Sequence, residues 1–132
     1  MFSFVKANAK PEFPVIKTLP TTASTEYKIG DALILSAGAL VKATGTAKPE
    51  YIAAANYSAP ATGMEPLPAY LIAPGMEWET TFAADATAVK EGTKVTIHTD
   101  GAQVTATATS GVAQILKKHG TGAAGTKVTV TF

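Results

Sequence analysis

Few side chains in this 132-residue chain can do chemistry: two histidines, ten carboxylates and no cysteine. His98 and Asp100 share one stretch, KVTIHTDGAQVTATATS, from Lys94 to Ser110. An Asp-Gly pair between two alternating runs predicts a β-hairpin with a type I′ turn, which needs positive φ at both central residues. With Asp100-Gly101 as the turn, Thr99 faces Ala102, His98 faces Gln103, Ile97 faces Val104, Thr96 faces Thr105 and Val95 faces Ala106. The apolar pairs then share one face and the polar pairs the other, whereas a one-residue slip would oppose apolar to polar throughout. In this register His98 has no carboxylate beside it and reads as an exposed bystander pointing to solvent or to a partner.

The other candidates also have plainer readings. Glu77 and Glu79 alternate along one strand face, which suits either a glycosidase-like carboxylate pair or, more simply, a solvated sheet surface. His98, His119, Asp85, Glu91 and Asp100 are too scattered for metal-ligand spacing, and no serine sits in a nucleophile elbow. GTGAAG, Gly120 to Gly125, matches G-x-G-x-x-G literally, but the dinucleotide fingerprint needs a strand before it and a helix after it. Here a strand-like run follows, so the segment reads as a loop. The two GTK triplets, at Gly92 and Gly125, lack the spacing of a phosphate-binding loop and simply start strands. Trp78, with Tyr51, Tyr57 and Tyr70, offers the rings for a sugar-stacking platform, but Trp78 alternates with Met76 and Phe82 as a core residue does. No catalytic set and no cofactor site emerges, and the chain reads as non-enzymatic.

Composition narrows the partners. Net charge is +1 with 16% charged residues, too balanced for electrostatic capture of nucleic acid or membrane. All 11 basic residues are lysine, so the guanidinium fork that best grips phosphate is missing. The start, MFSFVKANAKPEFPVIKTLP, has no uninterrupted apolar core and does not read as a secretion signal. Synthesis in a cytoplasm, with assembly there into something larger, is the expectation.

These side chains need elements to hold them, and period two dominates from Tyr27 onward. The expected fold is all-β, a small antiparallel barrel or sandwich built from hairpins, with residues 1–25 as an extended N-terminal arm and residues 26–132 as one β domain. Pro11, Pro14 and Pro20 keep the arm from being helical. Phe2, Phe4, Val5, Phe13, Val15, Ile16 and Leu19 make it too apolar for a disordered linker. Ordering such a segment costs more backbone entropy than its own side chains return. It must therefore lie on the body or on a partner, and these seven residues are the candidate partner-binding set, with the partner favoured. AYLIAPGMEWETTF reads as two strands around Pro74-Gly75, the second placing Met76, Trp78, Thr80 and Phe82 on one side and Glu77 and Glu79 on the other. SGVAQILKKHG has helical spacing at Val112, Ile115, Leu116 and His119 but strand-like flanks, and is assigned as a strand. GDALILSAGALVKATG and GTKVTIHTDGAQVTATA echo each other, the second with one extra turn residue. Each is followed by a short apolar run, YIAAA and GVAQIL. A duplicated unit and a chance likeness of two hairpins both fit this echo.

Gly30-Asp31 opening a strand, Gly92 opening another, Asp100-Gly101 with VTATATSGVAQIL, and the closing GTKVTVTF follow one another in an order that resembles tailed-phage capsid decoration (cement) proteins of the small all-β type. The resemblance covers roughly Ile29 to Phe132; the N-terminal arm, longer and more aromatic than the simplest members need, departs from it. It implies a non-enzymatic virion protein, made in the host cytoplasm and placed on the outer capsid surface. There it would bind the major capsid protein across capsomer junctions and associate with itself, a trimer being favoured. The alternative is a carbohydrate-binding or adhesion β module using the Tyr and Trp rings.

Overall fold

Alternating apolar residues, frequent Gly and Pro punctuation and abundant threonine favour short strands, and the computed structural model, which describes residues 1–7 and 14–132, is all-β. Its strands are β1 (Ser3–Ala7), β2 (Ile16–Pro20), β3 (Glu26–Tyr27), β4 (Ala32–Ser36), β5 (Ala39–Lys42), β6 (Tyr51–Ala53), β7 (Tyr57–Ser58), β8 (Pro66–Leu71), β9 (Met76–Thr81), β10 (Lys94–Val95), β11 (Ala113–Lys118) and β12 (Lys127–Thr131). One five-stranded sheet runs β1-β9-β12-β11-β10, a second runs β2-β8-β6-β4-β5, and β3 with β7 forms a two-stranded ribbon. All strand pairings are antiparallel. The sheets do not close into a barrel; the architecture is sandwich-like.

The second sheet buries both faces. Ala32 and Ile52 point into the larger core with Trp78, Phe82, Val128 and Val130 of the first sheet. Their neighbours Leu33 and Ala53 point the other way, into a smaller core with Leu40, Leu67 and Tyr27 of the ribbon. Tyr27 is fixed there by its hydroxyl, which donates to Leu40 O at 2.6 Å and accepts from Thr22 N–H at 2.8 Å. A two-residue ribbon has little stability of its own, so this buried ring is what holds it down.

The echo in the sequence is a duplication in the structure. Strands β2, β4, β5, β6 and β8 form a unit with spatial order first-fifth-fourth-second-third. Strands β9, β10, the segment at Val104, β11 and β12 repeat that order, the Val104 segment joined through its bridge to Ile97. The hydrogen bonds repeat too. Gly30 N–H to Ala53 O (2.8 Å) recurs 62 residues on as Gly92 N–H to Ile115 O (2.7 Å). Thr21 N–H to Glu65 O (3.0 Å) recurs 61 residues on as Phe82 N–H to Thr126 O (3.1 Å). Even the parallel bridge from the end of the first strand to the third occurs twice, Thr21 to Leu40 and Phe82 to Val104. So many matched bonds do not arise from two hairpins looking alike.

Within this frame the opening hairpin needs correction. The second copy has two extra turn residues, not one: β4 and β5 close on Ala37-Gly38 between Ser36 and Ala39, whereas His98 N–H reaches Gln103 O across residues 99–102. The type I′ signature of two positive φ values belongs to Ala37 (49°) and Gly38 (82°). At Asp100-Gly101 only the glycine has positive φ. Asp100 instead uses Oδ1 to accept from Ala102 N–H (2.8 Å) and Gln103 N–H (3.1 Å), a side-chain turn that replaces the backbone one. Ile97 opposes Val104, and the Thr96 and Thr105 hydroxyls meet at 2.7 Å, as the sequence predicts. The Val95/Ala106 pair does not form. Thr105 N–H and Thr107 O both bond Thr96, a bulge that leaves Ala106 exposed while Val95 pairs with Ala113.

The N-terminal segment also differs from a free arm. β1 adds to the edge of β9, β2 to the edge of β8, and Phe2 is only 2% exposed. The body itself supplies the ladder hydrogen bonds of β1 and β2. β1 and the β3-β7 ribbon have no counterpart in the duplication.

Candidate functional site

The residues with chemical potential are dispersed and mostly engaged. The β9 pleat turns Met76, Trp78 and Thr80 inward and Glu77 and Glu79 outward, as expected from the sequence. Each glutamate meets a lysine on a neighbouring strand, Glu77 with Lys6 at 3.6 Å and Glu79 with Lys127 at 2.9 Å. These are cross-strand surface pairs. His98 does have a carboxylate neighbour, contrary to the sequence reading: the looser turn brings Asp100 Oδ1 to 3.3 Å from its Nδ1. Burial pushes the Asp100 carboxyl up, but the Ala102 and Gln103 N–H groups and the adjacent His98 outweigh it and hold its pKa below the ordinary value. Among the described residues no side-chain hydroxyl hydrogen-bonds to His98; its contacts are with Asp100. His119, exposed just beyond the end of β11, has its Nε2 2.8 Å from Oγ1 of Thr129 on β12. No group of three metal-ligating residues occurs among the described residues.

Trp78 is fully buried, its ring against Phe4 (5.4 Å between centroids) and Tyr70 (6.5 Å), so it cannot serve as a sugar platform. Its indole N–H has no hydrogen-bond partner among the described residues. A cleft of about 650 Å³, lined by Leu35, Lys48, Glu50, Tyr51, Ile72 and Phe132 among others, holds two charged groups. Glu50 there accepts from Leu35 N–H at 3.3 Å, which ties it to the sheet.

The seven residues singled out in the N-terminal segment separate by burial. Phe2 joins the core and stacks edge-on against Phe132 at 5.4 Å. Phe4 packs on Trp78, and Leu19 lies partly buried against the smaller core. For Phe2 above all this corrects the partner-binding assignment, because its apolar surface is already covered. Phe13 lies outside the described residues. Val5 (42% exposed), Val15 (56%) and Ile16 (57%) remain on the surface, at the edges of both sheets. Sequence reasoning could not divide the set, since burial here depends on pairing with β8 and β9, some 50 to 75 residues away. The Asp31–Lys42 ion pair, 3.0 Å long with Asp31 only 2% exposed, is a further polar feature that the sequence did not single out.

Compared with protein-family models, curated proteins and solved structures, the chain matches none.

Proposed function

We propose that this chain is a non-enzymatic structural protein of a phage virion that decorates the outer capsid surface, contacts the major capsid protein and links neighbouring capsomers, with copies also associating with one another. The observation that supports this reading most directly is the division of the N-terminal segment. Phe2 and Phe4 anchor it in the body, while Val5, Val15 and Ile16 stay outward on edge strands that are held in place. Apolar side chains presented on pre-ordered backbone lose little entropy on docking. Repeated contacts on a symmetric shell then multiply a modest single affinity. The order of glycine-led strands and hairpins through Phe132 adds the resemblance to cement proteins.

Removing residues 1–25 would strip β1 and β2 and take Phe2 from the core, so a truncation is a poor test. The clean experiment is co-sedimentation with expanded, undecorated capsids, comparing the full chain with a Val5→Asp/Val15→Asp/Ile16→Asp variant whose circular dichroism matches the parent. Saturable binding by the parent and its loss in the variant is the expected result. Absence of binding by the parent removes the reading, and equal binding by both moves the contact off this segment.

A further inference from the structure

The two units of the duplication treat the same end of the sheet in opposite ways. In the second unit, which begins with β9, this end carries Met76, Trp78, Ile97, Ala113 and Phe132. Pairing relates them to Val15, Lys17, Leu35, Tyr51 and Leu71 of the first unit. Trp78 opposes Val130 as Lys17 opposes Ala69, and Val95 opposes Ala113 as Leu33 opposes Tyr51. Ile97 opposes Val104 as Leu35 opposes Leu40. In the second unit Met76, Trp78, Ile97 and Ala113 are buried in the larger core with Ala32 and Ile52 of the first. Phe4 and Tyr70 pack on Trp78, and Phe2 on Phe132. In the first unit Val15 is 56% exposed, Leu35 42% and Lys17 also exposed, with Tyr51 and Leu71 half-buried. Leu35, Tyr51 and Leu71 line the cleft of about 650 Å³.

The chemistry of the molecule narrows what covers this cleft. Within the chain, the end of the second unit is closed by the face of the first that carries the Ala32–Ile52 pair. In the second unit the matching pair is Lys94 and Gln114. Covering an apolar end with them would strip water from a lysine and an amide, so copies do not continue the duplication head to tail. The cleft carries a better match for itself. Lys48 and Glu50 stand exposed on either side of Pro49 and both line it. Among the described residues neither is in an ion pair. A cation and an anion so placed complement their own image under a two-fold rotation.

We infer that the open end of the first unit takes the same end of a second copy of the chain, about a dyad near Pro49. Lys48 of each copy then meets Glu50 of the other, and Leu35, Tyr51 and Leu71 of the two copies close over one another. Apolar burial supplies the affinity. The charges on the rim fix orientation and reject a misaligned pairing, which would set lysine against lysine. The contact stands independently of capsid attachment. It assigns Val15 to the copy–copy surface and leaves Ile16, whose side chain lies on the opposite face of β2, outside it.

Sedimentation equilibrium over a concentration series tests it. The 13.5 kDa chain is expected to shift reversibly towards a mass of about twice that value. Lys48→Glu leaves only anions on the rim and Glu50→Lys only cations. Each is expected to weaken self-association by at least about tenfold. Mixed in equal amounts, the two variants are expected to associate with each other, since each supplies the charge the other lacks, and that recovery separates a lost contact from a lost fold. A parent that stays monomeric, a trimeric mass, variants that associate as the parent does, or no recovery on mixing of folded variants would each overturn the inference. So would variants that self-associate normally but no longer co-sediment with undecorated capsids, a result that would give the cleft to the capsid protein. Should a variant fail to fold, the parent still decides it: the NMR ring signals of Tyr51 are expected to shift with concentration while those of Tyr57, outside the cleft, stay in place. Unmoved Tyr51 signals would count against the contact.

Discussion

The most consequential single side chain outside the cores is Asp31. Its carboxylate is 2% exposed, 3.0 Å from Lys42 Nζ, and accepts from Lys28 N–H at 2.9 Å. A buried carboxylate deprived of its cation costs far more than a surface pair is worth, because the desolvation penalty is left uncompensated. Lys42 itself is 30% exposed, so water can replace part of what it supplies. Lys42→Met is therefore expected to lower unfolding stability by about 2–3 kcal/mol, near the lower end for breaking a buried pair. Lys127→Met breaks an ion pair that is just as short but lies on the surface, and should cost under ~1 kcal/mol. Urea midpoints at unchanged slope give the comparison, and equal losses in the two variants would refute the account. This pair was not legible in the sequence: Asp31 stood out only with Gly30 as the opening of a strand, and nothing local marks Lys42, eleven residues later, as its partner.

At the scale of elements, the two copies of one hairpin show how local grammar is used and adjusted. The first closes on Ala37-Gly38 in a turn whose first position has positive φ, a conformation that costs an alanine side chain more than asparagine or glycine. Ala37→Asn is expected to raise stability by roughly 0.5–1 kcal/mol, with a matching rise in Tm, the gain reported for relieving unsuitable backbone positions. No rise would mean that the neighbouring strands, and not the turn, set the conformation there. The hairpin at Asp100-Gly101 was legible as a hairpin because the Ile97/Val104 and Thr96/Thr105 alternation is local. Its turn type was misread because the Asp100 side chain caps two N–H groups and opens the loop to four residues. The strand over Ala113–Lys118 was assigned correctly against a competing helical spacing. The placement of β1 and β2 was not legible, since an edge strand and a partner-seeking arm have the same composition and differ only in what lies beside them.

For the whole molecule, the question is whether the duplicated units act as two bodies or one. The larger core joins them, drawing Ala32, Ala43 and Ile52 from the first and Ile97, Val104, Ile115 and Val130 from the second. Backbone bonds cross as well: Ala32 N–H to Gly101 O at 2.7 Å, and a reciprocal pair between Gly45 and Ile97 at 2.8 and 2.9 Å. Ala32 is among the smallest of buried side chains, so the units approach closely enough for these bonds, and the larger core does not close without both units. A single cooperative transition follows. The chain carries its own probes, since its one tryptophan, Trp78, lies in the second unit and its four tyrosines lie in the first. Urea unfolding followed by Trp78 fluorescence and by the NMR ring signals of Tyr27 is expected to give superimposable curves. Ile97→Ala, which removes a buried side chain at the junction, should move both midpoints together by the equivalent of about 2–5 kcal/mol. If the tyrosine signal keeps its midpoint while the tryptophan signal falls, the units unfold separately, and the shared core is a contact between two stable bodies and not the feature that makes them one.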